Sequence, residues 1–343
     1  MSRFSYLELD ESILTKLDNC SIPDFSPESL VTHTYNSLVH RSDLSPEEAR
    51  LVLRTAAEKC CQLAPVSALS ILQGDSPQWL GSLQYVSTGC RSLDTFLRGG
   101  IPFRGLFEIC GESRSGKTQF CLQLCLNVQL WLEGSDDHRR AALYISTEDV
   151  FPHKRLAQLA RYFSREHGRR QWMDGIYVEH ALSHDDLDKV VSHRLPALIA
   201  GRRVRLVILD SIAAVARAEF GLGDESDRAE YLTNIGLQLR QFSVEHAVAV
   251  VIVNQVSAVI DGSIGDDEDD VQPALGLTWS DMVATRVLLS RDEPVTEEAD
   301  EHAAAASAPE VPRQLQVIFS PYLPQNSIHF VVQETGIQDF NKG

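Results

Sequence analysis

The sequence predicts an α/β chain, with a mostly parallel sheet between helices and a small helical N-terminal domain. Three observations carry this. From Thr88 onward, short apolar β-rich runs alternate with amphipathic stretches. One run leads directly into the glycine-bounded segment Gly111-Glu112-Ser113-Arg114-Ser115-Gly116-Lys117-Thr118, after which a helix opens. Residues 1 to about 64 carry apolar residues at helical spacing instead, in Leu51, Leu53, Ala56 and Ala57.

In chain order, Ser45-Pro46-Glu47-Glu48 predicts a helix start. Serine caps, proline suits the first turn, and the acids sit at the positive helix end. Pro65, Gly74, Pro77 and Gly81 mark a linker over 65–86, which leaves 1–64 as the helical domain and 87–343 as the main domain. Leu106–Cys110, Ala142–Ser146, Leu206–Leu209 and Val248–Val253 read as strands buried on both faces. Thr118–Leu132, Lys154–Tyr162, Asp185–Ile199 and Ala229–Glu245 read as helices, and Ala284–Ser290, Leu315–Phe319 and Ile328–Glu334 as further strands. Two interruptions are expected. An acidic mobile loop spans about 256–272 and contains Asp266-Asp267-Glu268-Asp269-Asp270, and an Ala-, Glu- and Pro-rich disordered insertion spans about 292–312.

With 343 residues, 43% of them hydrophobic, the chain can bury a large core. No apolar run approaches the roughly 20 residues a membrane span needs, and the N-terminus lacks a signal pattern, so a soluble intracellular protein is expected. Lys and Arg number 31 against 48 Asp and Glu, a net charge of −17, which argues against a general nucleic-acid binder but leaves room for a local basic groove. The seven cysteines form no C-x-x-C pair; reduced core thiols are expected, with no disulfide framework and no zinc.

The segment Gly111–Thr118 fits G-x-x-x-x-G-K-[ST] in its strand-to-helix context. Glycines let the backbone N–H groups face phosphates, the helix start adds a positive dipole end, Lys117 reaches the β- and γ-phosphates, and Thr118 holds Mg²⁺. A buried strand ends at Asp210, which suits a carboxylate acting on Mg²⁺ or its waters, or else a helix N-cap. Glu148, after Tyr144-Ile145-Ser146-Thr147, is either a general base for water or a solvent-facing acid beside Asp149. The amides of Asn254-Gln255 either sense a γ-phosphate or cap the strand end.

Together these elements resemble the eukaryotic and archaeal recombinases of the RecA superfamily. Ser87-Thr88-Gly89-Cys90, Leu93-Asp94, Gly99-Gly100-Ile101, Gly116-Lys117-Thr118-Gln119, Phe151–Leu156, Thr285-Arg286, Ser320-Pro321-Tyr322-Leu323-Pro324 and Gly336-Ile337 carry the resemblance over about residues 85–340. Within that family, Thr147–Leu156 and Pro273–Trp279 resemble the recombinase paralogues. The resemblance implies a RecA-like core that binds ATP and Mg²⁺ through Gly111–Thr118 and Gln119, with metal contacts at Thr118 and Asp210. It implies Glu148 as the catalytic acid, Gln255 as γ-phosphate sensor and Arg155 near the adenine. It also implies homologous-recombination repair, a heterodimer with the C-type paralogue, assistance to the main recombinase on single-stranded or branched DNA, and a place in the nucleus and also the cytoplasm.

Departures qualify the picture. Asp281 stands where recombinases place a phosphate-sensing His, and Phe319 where they carry the Asp that caps a neighbour's nucleotide. The family's first DNA loop falls at about Arg217–Arg228. Arg217 and Arg228 are the expected DNA contacts, but Asp224, Glu225 and Asp227 dilute them, and the second loop holds the five acids. Val66-Ser67-Ala68-Leu69 replaces the Phe-x-x-Ala hook of filament-formers. Two functions are expected from this: a weak, Mg-dependent, DNA-stimulated ATPase that assists recombination from within a heteromeric complex, or a non-hydrolysing ATP-bound scaffold that holds a partner paralogue.

Overall fold

The computed structural model describes residues 4, 7, 9–19, 27–32, 35, 38–39, 42–60, 67–73, 84–130, 140–147, 150–202, 204–221, 224–255, 275–292 and 311–340. The chain divides into two compact units, Met1–Gly81 and Ser82–Gly343.

The first unit holds α1 (Glu11–Asp18), α2 (Pro27–Thr32), α3 (Pro46–Cys60) and α4 (Ala68–Gln73). At the start of α3, Glu48 N–H donates to Ser45 Oγ (3.3 Å) and Ser45 N–H donates to Glu48 Oε2 (2.6 Å), a reciprocal cap. Lys16 of α1 reaches the same carboxylate at 2.8 Å. The buried stripe of α3 is Ala49, Val52 and Ala56, with Leu51 and Leu53 only partly buried beside it. The apolar set expected here, Leu51, Leu53, Ala56 and Ala57, is therefore rotated onto the i, i+3, i+7 stripe, which keeps Ala56 of the four. The segment read as linker contains α4, whose first turn is held by Ser70 N–H donating to Ser67 Oγ (3.0 Å). Val66 lies outside the described residues.

In the second unit, β1 (Tyr85–Val86) and β2 (Ile101–Pro102) form a short antiparallel pair around α5 (Arg91–Phe96). A nine-stranded sheet follows. Its strands are β3 (Leu106–Gly111), β4 (Ala141–Ser146), β5 (Ile176–His180), β6 (Val204–Asp210), β7 (Ala249–Val253), β8 (Thr285–Arg291), β9 (Arg313–Phe319), β10 (Ser327–Gln333) and β11 (Gly336–Asp339), in the order β11-β10-β9-β8-β3-β7-β6-β4-β5. The six strands from β8 to β5 are parallel, and β9, β10 and β11 extend the sheet antiparallel. The α/β class holds, with an antiparallel wing added to the parallel sheet.

Alternating residues serve two layers. Ile109, Tyr144, Ile208 and Val251 face one cluster with α6 (Lys117–Asn127) and α7 (His153–His167). Leu143, Ile145, Val207, Leu209, Val250 and Ile252 face the other, with α8 (His184–Lys189), α9 (Leu195–Arg202), α10 (Ile212–Glu219), α11 (Glu225–His246) and α12 (Gly276–Ser280). Burial on both faces is why these strands read as unbroken apolar runs.

The helix expected over Asp185–Ile199 is interrupted by a π-helical turn, Val190–Arg194, between α8 and α9. The expected acidic loop at 256–272 and most of the expected insertion at 292–312 lie outside the described residues.

Candidate nucleotide site

The site forms where parallel strands end. β3 finishes at Gly111, where the chain runs so close to β8 that a Cβ would lie 2.3 Å from the Leu289 carbonyl oxygen. The loop then closes on Gly116, whose φ of +111° at the N-cap of α6 suits glycine. Lys117, nearly buried, donates from Nζ to the carbonyls of Gly111 (2.7 Å) and Glu112 (2.6 Å), so its ammonium is held under the loop. Ser115 is buried, and its Oγ has no partner among the described residues.

Around the loop lies a cleft of about 250 Å³ lined by Ser113, Arg114, Gly116, Lys117, Thr118, Gln119, Asp210, Ser211, Val253, Gln255 and Arg313. Thr118 Oγ1 donates to Asp210 Oδ2 (3.2 Å), which joins the first turn of α6 to the end of β6. The same carboxylate oxygen accepts the buried Tyr144 hydroxyl, and burial followed by the Asp210 charge pushes that phenol well above its ordinary pKa. Tyr144 therefore stays a neutral donor that fixes the Asp210 carboxylate.

Thr147 and Ser211 staple the ends of β4 and β6, with Ser211 N–H donating to Thr147 Oγ1 (2.8 Å) and Thr147 Oγ1 donating to the Ser211 carbonyl (2.7 Å). Glu148, which follows Thr147, lies outside the described residues.

The two amides that end β7 have different surroundings. Asn254 is fully buried and donates to Glu108 Oε1 (2.9 Å). Glu108 also accepts Trp279 Nε1–H (2.8 Å) and pairs with Arg286. Gln255 lines the cleft instead, and its Oε1 accepts Arg217 Nη2–H (2.8 Å).

Arg155 is not on the cleft wall. Its guanidinium donates to Gln119 Oε1 (2.7 Å), Gln158 Oε1 (2.7 Å) and the carbonyls of Glu334 (2.9 Å) and Gln333 (2.6 Å). It meets the site through Gln119, and burial lowers its pKa while leaving it cationic. Arg217 lies in α10 and Arg228 in α11, so both ends of the segment expected as a single loop are helical, and Arg217 meets the cleft through Gln255.

Asp281 is exposed after α12, and Phe319 lies under the Arg286 guanidinium at 5.0 Å, which gives that phenylalanine a packing role.

Two site residues were not found by sequence reasoning. Arg313 opens β9 and lines the cleft; a Cβ on Gly116 would meet its Nε at 3.3 Å, and burial lowers its pKa. That Nε is buried and has no hydrogen-bond partner among the described residues. Tyr144 is the other. A strand residue that reads as core gave no signal of a bond to Asp210.

The donors suit a nucleotide with a hard cation. Loop N–H groups, Lys117 and the bare Arg313 Nε match phosphate oxygens, and a threonine hydroxyl beside a carboxylate matches Mg²⁺.

Comparison with known proteins agrees with this geometry. Residues 81–340 match the family model described as Rad51. The chain is 35% identical over 312 residues to the DNA repair protein XRCC3 of Bos taurus, covering 88% of each chain. It is 33% identical over 327 residues to the DNA repair protein XRCC3 of Mus musculus, covering 91% of each. It is 33% identical over 291 residues to the DNA repair protein rhp57 of Schizosaccharomyces pombe, covering 74% of this chain and 79% of that protein. The RecA-like core, its phosphate-loop cleft and these matches show that the chain belongs to the Rad51 family.

Proposed function

We propose that this chain binds MgATP at Gly111–Thr118 and acts in homologous-recombination repair of DNA double-strand breaks. In this reading it works in the nucleus, in a heteromeric complex with a C-type recombinase paralogue, and assists the main recombinase on single-stranded or branched DNA. The carrying observation is the cleft that gathers Lys117, Thr118, Asp210, Gln255 and Arg313 around one loop.

Lys117 and Arg313 would neutralise phosphate charge, and a phosphate entering the loop competes with the Gly111 and Glu112 carbonyls for the Lys117 ammonium. Thr118 and Asp210 would hold Mg²⁺, which supplies charge neutralisation at the phosphates when bound. Tyr144 orients Asp210 through its hydroxyl, and Gln255 touches both the cleft and Arg217. Glu148 is proposed as the acid that orders water, with slow turnover.

The names of the relatives support the repair assignment. The departures at Asp281 and Phe319 support dependence on a different partner over self-assembly. Co-purification of the full chain with a paralogue partner, with and without ATP, followed by mass measurement, tests the reading. A one-to-one complex whose yield rises with ATP is expected. Regular helical filaments of this chain alone on single-stranded DNA, seen by electron microscopy, would contradict it.

A further inference from the structure

We infer that the exposed face of α7 is a second nucleic-acid contact, which takes the phosphodiester backbone without reading its bases. This rests on the proposed DNA role and adds a surface separate from Arg217 and Arg228. Residues 154–170 hold Lys154, Arg155, Arg161, Arg165, Arg169 and Arg170 against one acid, Glu166, in a chain whose net charge is −17. Such a concentration of cations on an otherwise acidic protein sets a local positive field.

Geometry sorts these cations. Arg155 is turned inward onto Gln119, Gln158 and the β10 end, and Arg170 lies over the Trp172 ring. Lys154, Arg161 and Arg165 remain exposed, and with Gln158 and Tyr162 they line one groove of about 330 Å³. The spacing i, i+4, i+7, i+8, i+11 places all five on one helix face, over about 16 Å of axis at 1.5 Å per residue.

Among the described residues, none of the three cations pairs with a carboxylate. Glu166 sits 3.8 Å from His167 and lines a different cavity, while Glu334 accepts the Tyr162 hydroxyl at the groove's rim (3.0 Å). Arg165 lies over the Tyr162 ring at 5.0 Å and stays exposed there.

A line of cations with an amide donor and no apolar pocket suits a repeated phosphate better than a peptide, which needs side-chain pockets for specificity.

The test uses the full chain and fluorescence anisotropy with a labelled oligothymidylate, between about 50 and 200 mM salt. Lys154→Ala/Arg161→Ala/Arg165→Ala is compared with wild type, with ATP binding as the folding control, since these side chains are exposed. The expected result is at least a tenfold loss of affinity at low salt. The slope of log K against log salt should fall by about 2, the value for three single-strand phosphate contacts. Equal affinity and equal slope overturn the inference while leaving DNA binding itself intact. Absence of binding by wild type at low salt overturns both the DNA role and this surface. Equal competition by polyglutamate and by unlabelled oligothymidylate assigns the groove to acidic peptides and also overturns it.

Discussion

Arg217 Nη2 donates a 2.8 Å hydrogen bond to Oε1 of Gln255, which ties the end of α10 to the second residue after β7, in the nucleotide cleft. A change in Gln255 orientation must therefore be felt at Arg217. Exposed hydrogen bonds contribute about 0.5–1.5 kcal/mol, or roughly 2–10-fold in an equilibrium. Gln255→Ala and Arg217→Ala are each expected to reduce the ratio of DNA affinity with ATP to that with ADP by this amount. ATP affinity should change less than about threefold. Anisotropy titrations in both nucleotides check this; an unchanged ratio in both variants contradicts the coupling.

Tyr144 gives the second prediction. Tyr144→Phe removes the hydroxyl from Asp210 and keeps the ring that packs edge-on against Phe151 at 5.0 Å. A hydrogen bond to a charged group contributes about 1.5–3 kcal/mol. Magnesium-dependent nucleotide affinity should fall about tenfold, because Asp210 loses its orienting donor. Titration with ATP in magnesium and in EDTA separates this from a general loss, since the EDTA value should not move.

A buried pair supports the site from below. Glu108 pairs with Arg286 and accepts from Asn254 and Trp279, so it joins β3, β7, α12 and β8. Glu108→Leu leaves Arg286 as a buried uncompensated charge and is expected to cost about 3–5 kcal/mol. Glu108→Leu with Arg286→Met should cost less than the sum of the two single changes. Denaturant unfolding of the four proteins completes the cycle, and strict additivity would remove the claim.

Cysteine chemistry supplies a prediction with a pH sign. Cys90, Cys110, Cys121 and Cys125 are buried and free. Burial pushes the Cys90 thiol up to about 11, and raises the other three well above the ordinary thiol value. Thiolate reactivity is therefore suppressed at neutral pH. Labelling with a thiol reagent at pH 7, followed by peptide mapping, should leave these four unmodified until denaturant is added. Modification of Cys121 or Cys125 in the native protein would count against the packing described.

The local features of this molecule were legible in its sequence, and the long-range ones were not. The loop Gly111–Thr118 is contiguous, so its strand, turn and helix announce one another. The strand ending at Asp210 was readable because burial on both faces leaves an unbroken apolar run. Strand β5 was missed because Ile176–His180 is an edge strand with a mixed burial pattern that carries Glu179 and His180. Strand β11 was missed because four residues after a turn carry no periodicity. Arg313 stands nearly 200 positions beyond the loop it covers, and only the β8–β9 pairing brings it there. The rotated face of α3 has a simpler cause: Leu51 and Leu53 flank the true stripe at Val52.

The central claim is that the cleft around Lys117 holds the triphosphate. Filter binding of labelled ATP to the full chain and to Lys117→Ala, in magnesium, tests it directly. Loss of an ammonium that makes charge-assisted hydrogen bonds of about 1.5–3 kcal/mol each should reduce ATP affinity by at least tenfold. Wild-type ATP affinity in Lys117→Ala would contradict the assignment of the site.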